Sequence, residues 1–287
     1  MSLPDLIRKF VNLLLFGNFF IAGCAIAMTL QTNLLLFGNT IWRPLFSFIF
    51  FATLFLYAIH RIVGLKKVAP FLEKYRYTII YYFRHHIKLY ALLGGAGAIY
   101  FFFQISFANQ LLLIIPSILS LGYVLPLLKG ERRFRDLDYL KIFLVAIVWG
   151  VITVLMPIFE HSTHLILSHY LLLLERILFI FAITLPFDIR DLKIDAHLSV
   201  KTIPARIGIL NTKKLAIFLL SIAFCCALFN WMNGLYSPQI LAALFVSFLS
   251  TGILILYSDR MNADYFFTGM MDGTMILQFL LVLYIVG

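Results

Sequence analysis

Stretches of about twenty mostly apolar residues, the length that crosses a hydrocarbon core, recur along this chain at about 11–37, 43–61, 89–107, 109–128, 139–158, 165–187, 213–233, 237–257 and 265–286. Each predicts a membrane-spanning helix, so the expected fold is an all-α bundle of nine spans. Between the runs nothing has the size of an independent domain, and the whole of 1–287 reads as one transmembrane domain. The longest connection, roughly 62–88, is basic and aromatic (Lys74, Tyr75, Arg76, Tyr77, Tyr81, Tyr82, Phe83, Arg84), which suits an amphipathic helix at the headgroups. The first run follows Arg8 and Lys9, lacks a small-residue cleavage site and is long enough to span, so it is expected to be the first helix and not a removed signal.

Composition agrees with the pattern: 62% of residues are hydrophobic and only 13% charged, far from the balance of a soluble domain. The formal net charge of +10 would point to nucleic acid in a soluble protein, but its distribution excludes that reading here. With the N-terminus in the cytoplasm, 21 of the 23 Lys and Arg fall on cytoplasmic segments, among them Arg61, Lys66 and Lys67, the group Lys129, Arg132, Arg133, Arg135 and Lys141, and Arg190, Lys193 and Lys201. Only Arg43 lies outside and Arg176 within a span. An inner-membrane, multi-pass protein with a cytoplasmic N-terminus and an external C-terminus follows from that asymmetry. The three cysteines, Cys24, Cys225 and Cys226, fall in apolar spans without metal or redox spacing, and are packing residues on this reading.

Acids are scarce, thirteen in all, so Asp188, Asp191 and Asp195 stand out where the sixth run meets the cytoplasm. If the helix continues past Pro186, their spacing of i, i+3 and i+7 puts all three carboxylates within an arc of roughly 60°. Three like charges on one face need a cation, supplied either by neighbouring Arg and Lys or by a hard divalent ion that also bridges to phosphate oxygens. A solvated helix end trimmed by Arg190 and Lys193 is the plainer alternative.

The stretch Asp191-x-x-x-Asp195 followed by Ser199-Val200-Lys201-Thr202-Ile203-Pro204-Ala205-Arg206-Ile207-Gly208 resembles the second aspartate motif of the UbiA superfamily of intramembrane prenyltransferases, with its Lys-Thr-x-Pro tail. Tyr123-Val124-Leu125-Pro126 with Lys129 is similar to the residues after that family's fourth helix. The resemblance implies a nine-helix bundle around a long apolar cavity that opens to the cytoplasm. It implies too that Mg²⁺ holds the diphosphate of a polyprenyl substrate there, and that an aromatic or other lipophilic acceptor takes the isoprenyl group. Carried over residue by residue, Asp191 and Asp195 are the expected catalytic metal ligands with Asp188 beside them, and Lys201 and Lys129 the expected diphosphate contacts. The family's first aspartate motif is missing: the second run ends in Tyr57-Ala58-Ile59-His60-Arg61-Ile62-Val63-Gly64-Leu65-Lys66-Lys67, and no acid occurs between Asp5 and Glu73. That leaves charge for one Mg²⁺ at most. It also makes Arg61 and Lys66 candidate direct anion contacts, with His60 and Tyr123 facing the cavity.

Glu175 and Arg176 lie roughly 18–20 Å up the sixth helix from Asp188, where a structural pairing and a substrate role are both open. The same holds for Asp272, taken as a cavity-facing acid. His161, His164 and His169 lack acidic partners other than Glu160 and do not form a convincing metal site. Two other functions compete with prenyl transfer: a non-catalytic descendant that binds an isoprenoid or other lipid, and a transporter. The transporter is disfavoured by the scarcity of intramembrane charge and by the lack of paired Gly/Pro-broken helices beyond the Gly94-Gly95-x-Gly97 cluster.

Overall fold

The computed structural model describes residues 3–67, 75–130, 132–161, 164–261 and 264–286. They form α1 (Leu3–Phe16), α2 (Phe19–Phe37), α3 (Pro44–Lys67), α4 (Tyr75–Tyr82), α5 (Arg84–Phe102), α6 (Phe107–Leu112), α7 (Ile114–Val124), α8 (Leu140–Gly150), α9 (Met156–His161), α10 (Leu167–His197), α11 (Ile203–Ile207), α12 (Ile209–Met232), α13 (Pro238–Tyr257) and α14 (Asp272–Val286). Two π-helical segments, Val151–Leu155 and Phe266–Met271, join α8 to α9 and lead into α14. Among the described residues there is no sheet, only an isolated bridge between Leu128 and Arg132.

Among the described residues, eight helical segments are long and apolar enough to cross a membrane: 19–37, 44–64, 107–124, 140–161, 167–197, 209–232, 238–257 and 266–286. The difference from nine is α5, whose first turns carry Arg84, His85, His86 and Lys88 and dilute its hydropathy. It nevertheless lies antiparallel along α3. Ile87 packs near Ala58, Phe101 stacks on Phe51 with ring centroids 5.7 Å apart, and Phe102 meets Phe48. Gly94 makes this possible, because a Cβ there would stand 2.9 Å from the Phe55 backbone nitrogen.

The first apolar run is not one helix. It breaks at Gly17 and at Asn18, which sits in the left-handed region at φ 71°, a conformation that Asn tolerates better than most side chains. The break separates α1 from the buried α2. α1 is tied to the last helical leg through Tyr265, which donates to Asn12 and meets Phe16 edge to face at 5.8 Å. The 62–88 connection divides between the end of α3 and the short α4, and Lys74 lies outside the described residues.

The buried apolar residues fall into one large cluster and smaller ones beside it. Residues of α2, α3, α8, α10, α12 and the 266–275 segment form one large apolar cluster. Arg176, buried within it, is fully engaged: Nη1 donates to the Met28 carbonyl at 2.9 Å and Nη2 reaches Gln31 Oε1 at 3.4 Å. Glu175 accepts from the Tyr236 hydroxyl at 3.2 Å. Arg176 therefore ties α10 to α2 and Glu175 ties it to the α12–α13 connection, which is how a membrane interior accommodates such groups.

Candidate functional site

α10 runs unbroken for 31 residues through Pro186, so Asp188, Asp191 and Asp195 do share one face. Asp188 and Asp195 are buried, at 5% and 4% exposure. Burial without compensation is costly for a carboxylate, and the compensation comes from Lys141 on α8. Its Nζ lies 2.8 Å from Asp188 Oδ1 and 2.6 Å from Asp195 Oδ2, and Lys141 is itself only 7% exposed. Asp191 lies against its neighbour Arg190, which donates Nε to Oδ1 at 3.0 Å and Nη2 to Oδ2 at 3.2 Å.

The backbone holds this clamp in register from both sides. The Tyr139 N–H donates to the Lys201 carbonyl and the Lys201 N–H donates to Asp138 Oδ1, both at 2.9 Å. Tyr139 and Ser199 occupy the left-handed region, at φ 62° and 55°. Such strain in non-glycine residues persists only where the surroundings over-determine it. It marks the seam where the start of α8 is fastened to the end of α10.

Across from α10 stands a cationic wall made by the end of α3 and the loop before α8. Arg135 approaches His60 with Nη1 2.5 Å from Nε2 and covers the Tyr123 ring at 5.5 Å. A guanidinium only donates, so His60 Nε2 accepts and the imidazole is neutral with its proton on Nδ1. That Nδ1 is buried without a partner. Burial disfavours the Arg135 cation, but the Tyr123 oxygen and the carboxylates of Asp195, Asp136 and Asp191 more than offset it, so its pKa rises and it stays charged. Arg133, only 2% exposed, donates Nε and Nη2 to Asp136 at 3.1 and 2.8 Å, while its Nη1 is buried and unpartnered. This loop folds down onto α7 because residue 122 is glycine: a Cβ there would sit 2.3 Å from the Phe134 ring.

The two walls enclose one cavity of about 290 Å³. It is lined by Tyr57, His60, Arg61, Tyr123, Arg133 and Arg135 on one side, by Lys141, Asp188, Arg190, Asp191 and Asp195 on the other, and by Thr268 and Asp272 from the second π segment and its end. An apolar chamber of about 200 Å³ continues from it between α3, α7 and α8, and the two share Tyr57, His60, Tyr123 and Val145. Ala25, Phe48, Ala52, Leu56, Leu144 and Trp149 line the chamber, with Ile152 and Thr153 of the first π segment. π turns offset the side-chain register within a helix and recur at functional sites.

The sequence-based candidates divide accordingly. His60, Arg61, Tyr123, Asp188, Asp191, Asp195 and Asp272 all line the mouth. Arg61 is also anchored to α1, donating Nη2 to the Leu15 carbonyl at 3.3 Å. Lys129 is exposed and does not line the cavity. Lys201 points away, with its side chain 74% exposed and Nζ 4.0 Å from Asp138. Lys66 is on the last turn of α3, and its side chain lies outside the described residues. Lys141, Arg133 and Arg135, which the sequence marks only as topology signals, are further basic groups that the fold turns inward.

The donor set does not fit Mg²⁺. Among the described residues no three acidic or imidazole side chains converge as metal ligands, and the two buried aspartates already share an internal ammonium. A second cation between them would be repelled by Lys141, and on the facing wall Asp136 is already held by Arg133.

No protein-family model matches the sequence, and no curated protein matches it. Solved structures do. A UbiA homologue from Archaeoglobus fulgidus bound to GPP and Mg²⁺ superposes with a TM-score of 0.66 at 10% identity, over 95% of this chain and 98% of that one. The same homologue bound to DMAPP and Mg²⁺ gives 0.64, also at 10% identity and over 95% and 98% of the two chains. A digeranylgeranylglyceryl phosphate synthase gives 0.61 at 12% identity over 96% and 98%. The chain therefore has the all-helical membrane fold of the UbiA homologues, over nearly its whole length.

Proposed function

We propose that this protein acts on a polyprenyl diphosphate, whose headgroup sits in the charged mouth and whose tail runs into the apolar chamber, and transfers the isoprenyl group to a lipophilic acceptor. The observation that carries this reading is the continuity of a mouth rich in Arg and Lys with a chamber almost devoid of charge, joined at Tyr57, His60 and Tyr123. In such a transfer the bond between C1 of the allylic chain and the diphosphate oxygen breaks, and its electron pair leaves with the diphosphate. The acceptor then forms its bond to C1 and loses a proton. Cations fixed beside the leaving oxygens stabilise the charge that develops there. Asp272 lines the mouth and its carboxylate makes no hydrogen bond among the described residues, so it is the group placed to receive the proton.

The second reading is a lipid-binding protein without turnover, favoured by the Lys141 clamp on the second-motif aspartates. One experiment separates the two: mass spectrometry of lipids that co-purify with the protein, followed by incubation of the purified protein with labelled geranylgeranyl diphosphate and the recovered lipid fraction. Transfer predicts release of pyrophosphate with a new labelled lipid, and Asp272→Asn should slow it at least tenfold. Co-purified isoprenoid with no label transferred selects the binding reading. Absence of any isoprenoid and of turnover rejects both.

The proposed topology takes α5 as a ninth crossing, with the mouth cytoplasmic and the C-terminus outside. In a cysteine-free background, Lys193→Cys should react with an impermeant thiol reagent only after the membrane is opened, and Asn233→Cys should react from outside in intact cells. The reverse pattern rejects the orientation.

A further inference from the structure

Resting on that reading of the mouth as a diphosphate site, we propose that this protein recognises the diphosphate without a divalent cation, using Arg135, Arg133 and His60 as direct oxygen ligands while Lys141 does for Asp188 and Asp195 what a bridging metal ion would do.

Three independent observations converge on this. The first concerns the acids. A metal-bound diphosphate site needs carboxylates with lone pairs turned to the ion, yet Asp188 and Asp195 are both held by one buried ammonium, at 2.8 and 2.6 Å. An ammonium has three N–H donors. Two are spent on the aspartates and the third remains for an anion in the cavity that Lys141 lines.

The second concerns the facing wall. Arg135 contacts the neutral His60 and the face of Tyr123, and makes no ion pair with any described carboxylate. Its charge is therefore balanced only at a distance. A half-buried guanidinium of this kind, with donors in a rigid fork, matches phosphate oxygens bidentately.

The third is the presence of buried donors with nothing to donate to. Arg133 Nη1 and His60 Nδ1 are both buried and unpartnered, and both residues line the same cavity. Buried polar groups are almost always satisfied, so two orphan donors on one wall indicate an acceptor-rich ligand between them. A diphosphate presents such oxygens, and it has no donor that would compete for the aspartates opposite.

The test uses the full-length protein in nanodiscs and farnesyl S-thiolodiphosphate, an analogue whose carbon–sulfur bond resists ionisation. Its affinity is measured with excess Mg²⁺ and with EDTA, and inorganic pyrophosphate is used as competitor in both buffers. The expected result is the same affinity within about twofold in the two buffers, competition by pyrophosphate in both, and at least a tenfold loss in Arg135→Gln that Arg135→Lys restores only in part, since an ammonium keeps the charge but not the fork. If Arg135→Gln fails to fold, the comparison of buffers on the unaltered protein still decides. Binding that needs Mg²⁺ overturns this inference and leaves the diphosphate reading standing. Binding in EDTA that is indifferent to Arg135→Gln, measured on folded variant, overturns the assigned ligands. No binding in either buffer removes the diphosphate reading, and this inference with it.

Discussion

Replacing Lys141 by alanine should strongly destabilise the protein and at the same time create a response to Mg²⁺ that the unaltered chain lacks. Removing one partner of a buried ion pair leaves an uncompensated charge and typically costs about 3–5 kcal/mol. Here two buried carboxylates, Asp188 and Asp195, lose their common cation at once. Asp188→Asn and Asp195→Asn introduced together with Lys141→Met should recover much of the loss, because the charges then leave as a set and amides replace carboxylates of nearly the same shape. In Lys141→Ala alone the two carboxylates lie open to a hard cation. Mg²⁺ should then raise the thermal midpoint in detergent, by binding the folded state and not the unfolded one, whereas the unaltered protein should show no such shift. A Lys141→Ala protein as stable as the original would mean that the clamp carries little energy. One destabilised but indifferent to Mg²⁺ would mean that the aspartates are unsuited to metal even when freed.

How much of this was legible in the sequence depends on whether the signal was local. The apolar runs located the spans because burial in hydrocarbon imposes length and composition on each helix separately. The face shared by Asp188, Asp191 and Asp195 followed from helical spacing alone, once the helix was allowed to pass Pro186. The cation that meets them was not legible: Lys141 lies 47 positions before Asp188, in a basic cluster that charge asymmetry explains without any site. Within Arg132-Arg133-Phe134-Arg135, Arg133 and Arg135 turn into the cavity while Arg132 is exposed. That choice is made by Phe134 docking where Gly122 has no side chain, a contact between separate elements. Lys129 and Lys201 stand out only by resemblance to a motif, and the fold leaves both outside the cavity. The break at Gly17 and Asn18 did carry a local signal, a turn-forming pair inside an apolar run, but the run around it is long enough to pass for a single span. The π segments at 151–155 and 266–271 left no mark that apolar periodicity reveals, although each contributes residues to the site.

Filling the apolar chamber should abolish binding of long-chain diphosphates while sparing the headgroup. Ala52 on α3 lines the chamber beyond the shared residues Tyr57 and His60, so Ala52→Trp places an indole across the path a tail would take. The loss would come mainly from excluded volume. A prenyl chain displaced from the protein enters lipid that is equally apolar, so the usual gain of about 25 cal/mol per Å² for leaving water does not apply between the two. What the blocked tail loses is the geometry that lets its first carbon and the diphosphate reach Arg135 and Lys141 together. Farnesyl S-thiolodiphosphate should therefore bind Ala52→Trp at least tenfold more weakly, about 1.4 kcal/mol or more, whereas inorganic pyrophosphate should bind the variant and the original equally. Ala52→Val, which adds only two methyl groups, should fall between them and shift preference toward shorter chains. Equal weakening of pyrophosphate and the farnesyl analogue would show that the indole disturbs the mouth. Undiminished binding of the farnesyl analogue would show that the tail leaves the mouth by another route, between the helices and into lipid.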